Sequence, residues 1–351
     1  MGPGGAMGPG APGGPPANRS RLLLIIGAAV LALIILGVGA GVLINNRNTT
    51  ASDPTDPTDP QSAPPAATKP SDAVKTYLEA LAAGKADAAL AMGDEQAADK
   101  TFLTDAVLAD SITRAPITDI NVPEVTDEYA YSIDASYKLG DQPVAEKFSV
   151  KKAGSTWKVR DAFAELNLTS TRAKTLPMSI NKVAVKTDKI RLFPGSYVFT
   201  SGNKYVDYGK ENILLLESPT DYPSASDIKP TLTTAGEAAF EAAATAKLKT
   251  CLTPGDLTPN GCPNGVREAS YQKVDKSSVR WKLDGDPLAN VKPRLDYQNP
   301  AIAEANGSVV FKFTATGTSF DRATRFSSNV TEYVQMQANM TQTPVKVTLN
   351  D

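Results

Sequence analysis

The chain contains no histidine. Histidine is the commonest general base and transition-metal ligand near neutral pH. Its absence excludes Ser–His and Cys–His catalytic arrangements and any imidazole-bearing zinc site. Only two cysteines occur, Cys251 and Cys262, and two thiolates without imidazole partners cannot close a tetrahedral zinc site. An excess of charge of one sign is missing as well. With 36 basic against 38 acidic residues the net charge is −2, which leaves no basic footprint of the kind nucleic acid requires. Glycine-rich phosphate loops, Walker motifs and nucleophile elbows are all absent. The acids of the folded region are scattered: Asp94-Glu95, Asp127-Glu128, Asp284 with Asp286, and Glu304. The chain therefore reads as a non-enzyme, with no catalytic residue, cofactor or metal ligand expected.

One long apolar run is present. Leu22 to Ile44 carries no charged or strongly polar side chain, and at about 1.5 Å per residue it just spans the ~30 Å hydrocarbon core of a bilayer. A cleaved signal peptide is the competing reading, with Val38-Gly39-Ala40 as a small-residue cleavage site, but signal h-regions are shorter than this run. Arg19 and Arg21 abut its N-terminal end, whereas Arg47 on the far side is followed by Asp53, Asp56 and Asp59. The positive-inside rule places residues 1–21 in the cytoplasm and the C-terminal region outside it. Gly37 and Gly41 form a GxxxG pair, a route to a homodimer through the membrane, although glycine is common in membrane helices anyway. The Pro/Gly-rich tail, residues 1–21, is expected to be disordered. Residues 45–70, built around DPTDPTDP, read as an extended spacer rather than a calcium loop, because the prolines prevent the aspartates from converging on one ion.

Periodicity marks the start of folding near Ser71. Val74, Tyr77, Leu78 and Leu81 form one helical stripe, with Ser71 or Asp72 as cap and Gly84 as stop. Further helical stretches are expected at Asp87–Met92 and Lys100–Ser111. The period then changes to two. Tyr129, Tyr131, Ile133, Ala135 and Tyr137 are predicted on one strand face, Val144, Phe148 and Val150 on the next, and Trp157 and Val159 on a third. Helices followed by an antiparallel meander predict an α+β domain over residues 71–170.

The helix pair in SDAVKTYLEALAAGKADAALAM and the hairpins ending in GSTWKV resemble the nuclear transport factor 2-like α+β cone. Many actinobacterial single-pass membrane proteins carry such a domain after a membrane helix and a Pro-rich spacer. Enzymes on this fold place His, Asp or Glu inside the cone, so without histidine the resemblance implies no activity here. Residues 176–222 read as a small β-sandwich. Within it, LFPGSYVF (Leu192 to Phe199) resembles the PG-x-Y strand start of PEGA-like modules. The order of membrane helix, cone and β-module is similar to that of the TcaA-like proteins of Gram-positive envelopes, whose cytoplasmic zinc ribbon has no counterpart in residues 1–21. Pro194-Gly195 itself reads as a tight turn into a strand.

Residues 228–351 are expected to be a second α+β domain. Thr234-Ala235-Gly236-Glu237 suggests a capping box, and Phe240, Ala244 and Leu248 continue one helical face to Cys251. Strands are predicted around Trp281, Leu295 with Tyr297, Val309 to Phe313, and Val345 to Leu349. Outside the cytoplasm Cys251 and Cys262 are expected to form a structural disulfide; a reactive thiol pair would call for CxxC spacing or a cationic neighbourhood. Two loops are candidates for binding. Tyr205 and Tyr208 lie in NKYVDYGK as near-surface residues of a binding edge, with packing the commoner use of such tyrosines. Asp284 and Asp286 in DGDP have the composition of a β-turn, with a cation site as the alternative. The chain is thus expected to be a membrane-anchored envelope module that binds a cell-wall polymer or partner protein. A carrier or sensor holding a small apolar ligand in the cone is the alternative, and an envelope enzyme the third reading.

Overall fold

The computed structural model describes residues 66–350. The expected tail, the apolar run 22–44, the Gly37/Gly41 contact and most of the spacer lie outside the described residues. Among the described residues, no helix is long and apolar enough to cross a membrane. These residues form an α+β fold built on two hydrophobic cores.

The first core is made by three helices on a four-stranded sheet. Helix α1 (Pro70–Ala82) opens with proline at its first turn, where a missing N–H costs nothing, and the Asp72 carboxylate accepts the Lys69 N–H at 3.2 Å. Its stripe of Val74, Tyr77, Leu78 and Leu81 is fully buried. Gly84, at φ +70°, turns the chain into α2 (Ala86–Met92). Helix α3 is Asp105–Arg114 rather than Lys100–Ser111, because the Thr104 hydroxyl accepts the Val107 N–H and sets the start there. Strands β1 (Ile117–Asn121), β2 (Ser132–Leu139), β3 (Gln142–Ala153) and β4 (Thr156–Val159) follow in antiparallel order. Ile133, Ala135 and Tyr137 face the core as expected, but Tyr129 and Tyr131 do not. The Asp127 carboxylate accepts the Tyr129 N–H in a turn, so the strand begins only at Ser132 and both tyrosines are exposed.

The second core joins the middle and C-terminal segments, which were expected to hold separate ones. Strand β5 (Ala164–Asn167), assigned from the sequence to the first domain, pairs instead with β8 (Lys189–Leu192). Strands β6 (Ser179–Ile180), β7 (Val183–Ala184), β9 (Gly195–Thr200) and β11 (Ile213–Leu216) make a sheet in the order β11-β9-β6-β7. Between them β10 (Val206–Asp207) pairs with β12 (Thr231–Leu232). Helix α4 (Thr234–Thr250) then packs Phe240, Ala244 and Leu248 into this core. Its cap is Thr233, one residue before the expected box, whose hydroxyl accepts the Gly236 N–H at 2.9 Å.

The C-terminal sheet has six strands. Its spine is a hairpin of β16 (Ile302–Ser319) and β17 (Arg322–Asn339), paired along its whole length. On the other edge of β16 lie β13 (Gln272–Val274), β14 (Arg280–Leu283) and β15 (Arg294–Leu295); β18 (Val347–Asn350) pairs with the far end of β17. Cys251 and Cys262 are disulfide-bonded. The loop they close lies over β14, where the Trp281 indole N–H donates to the Asp256 carbonyl at 2.7 Å and its ring packs on Phe313. Closing so short a loop restricts the unfolded chain by roughly 3 kcal/mol. Urea unfolding of the full chain with and without reductant should therefore differ by about 2–3 kcal/mol. Equal midpoints would mean that the loop is held by its packing alone.

Candidate functional site

Three segments distant in sequence meet in a cleft of about 590 Å³: residues 169–173 after β5, 226–230 before β12, and 295–300 between β15 and β16. Each is shaped by short-range hydrogen bonds. Asn167 accepts both the N–H and the hydroxyl of Thr169, at 3.0 and 2.7 Å, which turns the chain out of β5. The buried Thr171 hydroxyl donates to the Ala225 carbonyl at 3.0 Å and so ties the first segment to the second. Across the cleft, Asp296 accepts the N–H groups of Gln298 and Asn299 at 2.9 and 2.6 Å. The Thr175 hydroxyl donates to the Asn299 side chain at 2.7 Å and binds this turn to the middle segment.

The turn of residues 296–299 holds Tyr297 at its tip, 94% exposed. A tyrosine displayed on a pre-formed turn offers a flat apolar face at little entropic cost. Ile228, Pro230, Leu295 and Pro300 supply an apolar strip, and Thr169, Ser170, Ser226 and Gln298 surround it with hydroxyl and amide groups. Lys229 adds a cation, and the Arg172 guanidinium is held by Asp188 at 2.7 Å. Asp296, the carboxylate of this lining, is engaged by the two backbone N–H groups of its own turn. The cleft thus combines an aromatic face with hydroxyl, amide and cationic groups, an arrangement able to stack and hydrogen-bond a polyhydroxylated ligand.

The sequence-predicted residues lie elsewhere. Tyr205 and Tyr208 are buried rather than near the surface. Asn203 accepts the Tyr205 and Val206 N–H groups, and Asp207 accepts those of Ser201 and Tyr208, so the polar residues fold the loop and drive the aromatic ones inward. Tyr208 packs edge-on against Phe199, and its hydroxyl has no partner among the described residues. Burial, reinforced by the Asp207 charge and opposed by Arg172, pushes this phenol up to about 12. Asp284 pairs with Lys312 at 2.7 Å, while Asp286 accepts the Leu288 N–H at 3.0 Å, and Gly285 takes φ +69° between them. DGDP is thus a turn in which one carboxylate pairs with Lys312 of β16 and the other accepts the N–H of the residue just after it. Among the described residues, no three Cys, Asp or Glu side chains converge as metal ligands would. Sequence reasoning missed the cleft, although Asp296-Tyr297-Gln298-Asn299 is a recognisable turn with an aromatic at its tip. No family model, curated protein or solved structure matches the chain.

Proposed function

We propose that the chain is a single-pass membrane protein that displays a non-catalytic binding module outside the cytoplasm and engages a glycan-containing cell-wall polymer through this cleft. The observation that carries the reading is Tyr297, held almost fully exposed by the Asp296 turn above a rim of hydroxyl and amide groups. Sugar rings present C–H faces to an aromatic plane and hydroxyl groups to such a rim, and both contacts are strongest where the protein is pre-organised. The apolar run 22–44, its basic N-terminal flank and the Pro/Asp spacer support anchoring at a distance from the bilayer. The disulfide suits an oxidising compartment. Helices followed by an antiparallel meander support reading the segment from α1 through β4 as a nuclear transport factor 2-like domain, shorter at its C-terminal end than the 71–170 expected. An apolar ligand inside that domain is less favoured, because Tyr77, Leu78, Leu81, Tyr137 and Phe148 fill the space between helices and sheet.

Co-sedimentation of the detergent-solubilised full chain with purified sacculi tests the proposal. Binding should survive a salt series, since stacking and neutral hydrogen bonds are not screened. Tyr297→Ala should weaken it about tenfold, equivalent to ~1.4 kcal/mol. Absence of pelleting, or pelleting unaffected by that substitution, would remove the cleft from consideration as a wall-binding site.

A further inference from the structure

The outer edge of β17 is open. Strand β18 pairs only with Gln335–Ala338, so Arg322–Val334 has β16 on one side and no strand on the other among the described residues. Hydrogen bonds on the opposite edge of β16 show which groups face outward. The carbonyls of Val310 and Thr316 accept the Asp284 and Asp275 N–H groups there, so even-numbered β16 residues bond to that edge and odd-numbered ones to β17. Val309 lies opposite Glu332 and Phe311 opposite Val330, so even-numbered β17 residues are consumed by β16. The N–H and C=O groups of Ala323, Arg325, Ser327, Asn329, Thr331 and Tyr333 therefore point away from the sheet, and these residues are exposed. Such an edge is a template for another strand.

We infer that this edge pairs with the same edge of a second copy of the chain, antiparallel about a two-fold axis through Ser327. The charges select both the partner and the register. Arg322 and Glu332 share the core-facing side of β17 and stand equally far from Ser327. A two-fold axis there places each Arg322 opposite Glu332 of the second copy, forming two symmetric cross-strand ion pairs. Sliding the axis by one residue to Ser328 would place Arg322 opposite Val334 and Glu332 opposite Thr324, with neither charge matched. In the favoured register the outward-facing residues also meet in hydrogen-bonding pairs: Ser327 with itself, Arg325 with Asn329, and Ala323 with Thr331. The half-buried Phe326 and Val330 come to lie beside the joint, and the two six-stranded sheets become one continuous sheet.

Because both native cysteines are bonded to each other, a single introduced cysteine in the full chain reports on this joint alone. Ser327→Cys places two thiols across a hydrogen-bonded pair, with Cα atoms about 5.5 Å apart and within disulfide reach. Asn329→Cys sets the corresponding atoms roughly 14 Å apart, from four residues at about 3.3 Å each along the strand and about 5 Å across it, and beyond reach. Mild oxidation in native membranes should give a covalent dimer for Ser327→Cys and little for Asn329→Cys. Adding Glu332→Arg to Ser327→Cys should lower the yield about threefold, and adding Arg322→Glu as well should restore it. A monomeric Ser327→Cys chain overturns the inference. Equal yields at 327 and 329 also overturn it, since a contact made elsewhere would then be bringing the copies together without this register.

Discussion

Gly195→Ala should destabilise the protein by about 3–5 kcal/mol, far beyond what one methyl group costs on a free surface. A Cβ at this position would lie 2.1 Å from the Ser111 hydroxyl oxygen. That oxygen has little freedom to retreat. Ser111 is completely buried on α3, and its hydroxyl accepts the Ser196 N–H at 2.7 Å. Rotating it away leaves a buried N–H unpaired, while keeping it forces α3 from β9. Either response disturbs the junction of the two cores, where Arg114 donates to Asn181 at 2.6 Å and to the Ser196 carbonyl at 3.0 Å, and Asn181 accepts the Val198 N–H at 2.8 Å. Burial pulls the Asp110 carboxyl upward, but hydrogen bonds and charge from Arg114 and Lys182 outweigh it and hold it below the usual range. The measurement is chemical denaturation of a double-mutant cycle with Ser111→Ala. Ser111→Ala alone should destabilise, since it orphans the Ser196 N–H. Adding Gly195→Ala to it should then cost at least 1 kcal/mol less than in the parent, because the clashing oxygen is gone. A Gly195→Ala protein within about 1 kcal/mol of the parent would show that the junction yields without cost.

That junction also shows where sequence reasoning succeeds and where it stops. The PG-x-Y piece is legible as a turn into a strand, and the Tyr197 hydroxyl does close back on the Phe193 carbonyl at 2.7 Å. The need for glycine is not legible, because it is imposed by Ser111, distant in sequence. Periodicity identified α1, α2, β3 and the core face of β16, since each buries one stripe or face against something apolar. It passed over β17. Between Arg322 and Thr331 that strand carries Phe326 and Val330 among small and polar residues, and it is a strand because β16 pairs with every position of it. Tyr205 and Tyr208 looked peripheral among Lys204, Asp207 and Lys210. Only the hydrogen bonds of Asn203 and Asp207 show that the loop turns them inward. Beyond the Asp296–Asn299 turn, the cleft has no contiguous signature. Tyr297, read as a strand residue with Leu295, lies just beyond β15, and the turn that presents it faces segments 60 or more residues upstream. A pattern reading recovers elements that bury their own periodic face. It misses those held by pairing, and sites assembled from several turns.

Above pH 10 the protein should lose stability steeply, by about 5 kcal/mol per pH unit from Tyr77, Tyr137, Tyr197 and the less strongly shifted Tyr208, and unfold within one to three units. Tyr77, Tyr137 and Tyr197 are each at most 2% exposed, and each hydroxyl donates to a backbone carbonyl: Ala162, Glu217 and Phe193 respectively. Burial is the principal cause that raises all three phenols well above their ordinary value near 10, because a phenolate in these cores would lose its water. For Tyr137, neighbouring Glu146, Asp221 and Glu217 push the same way. A phenolate could no longer donate, and would face the carbonyl oxygen it had been bonded to. The unfolded chain releases these protons near pH 10 while the folded chain retains them, so above that pH the unfolded state binds fewer protons and stability falls as pH rises. Each group adds a slope of ~1.4 kcal/mol per unit, fully developed only above its unfolded value and absent well below it. Urea unfolding at pH 8, 10 and 11 measures the slope directly. Tyr197→Phe supplies the internal control. It loses one hydrogen bond at every pH, but should remove about a quarter of the alkaline slope, because one of four titrating groups, Tyr208 being the fourth, is gone. A parent protein as stable at pH 11 as at pH 8 would mean that these hydroxyls reach water in the folded state, contrary to the packing around Tyr77 and Tyr197.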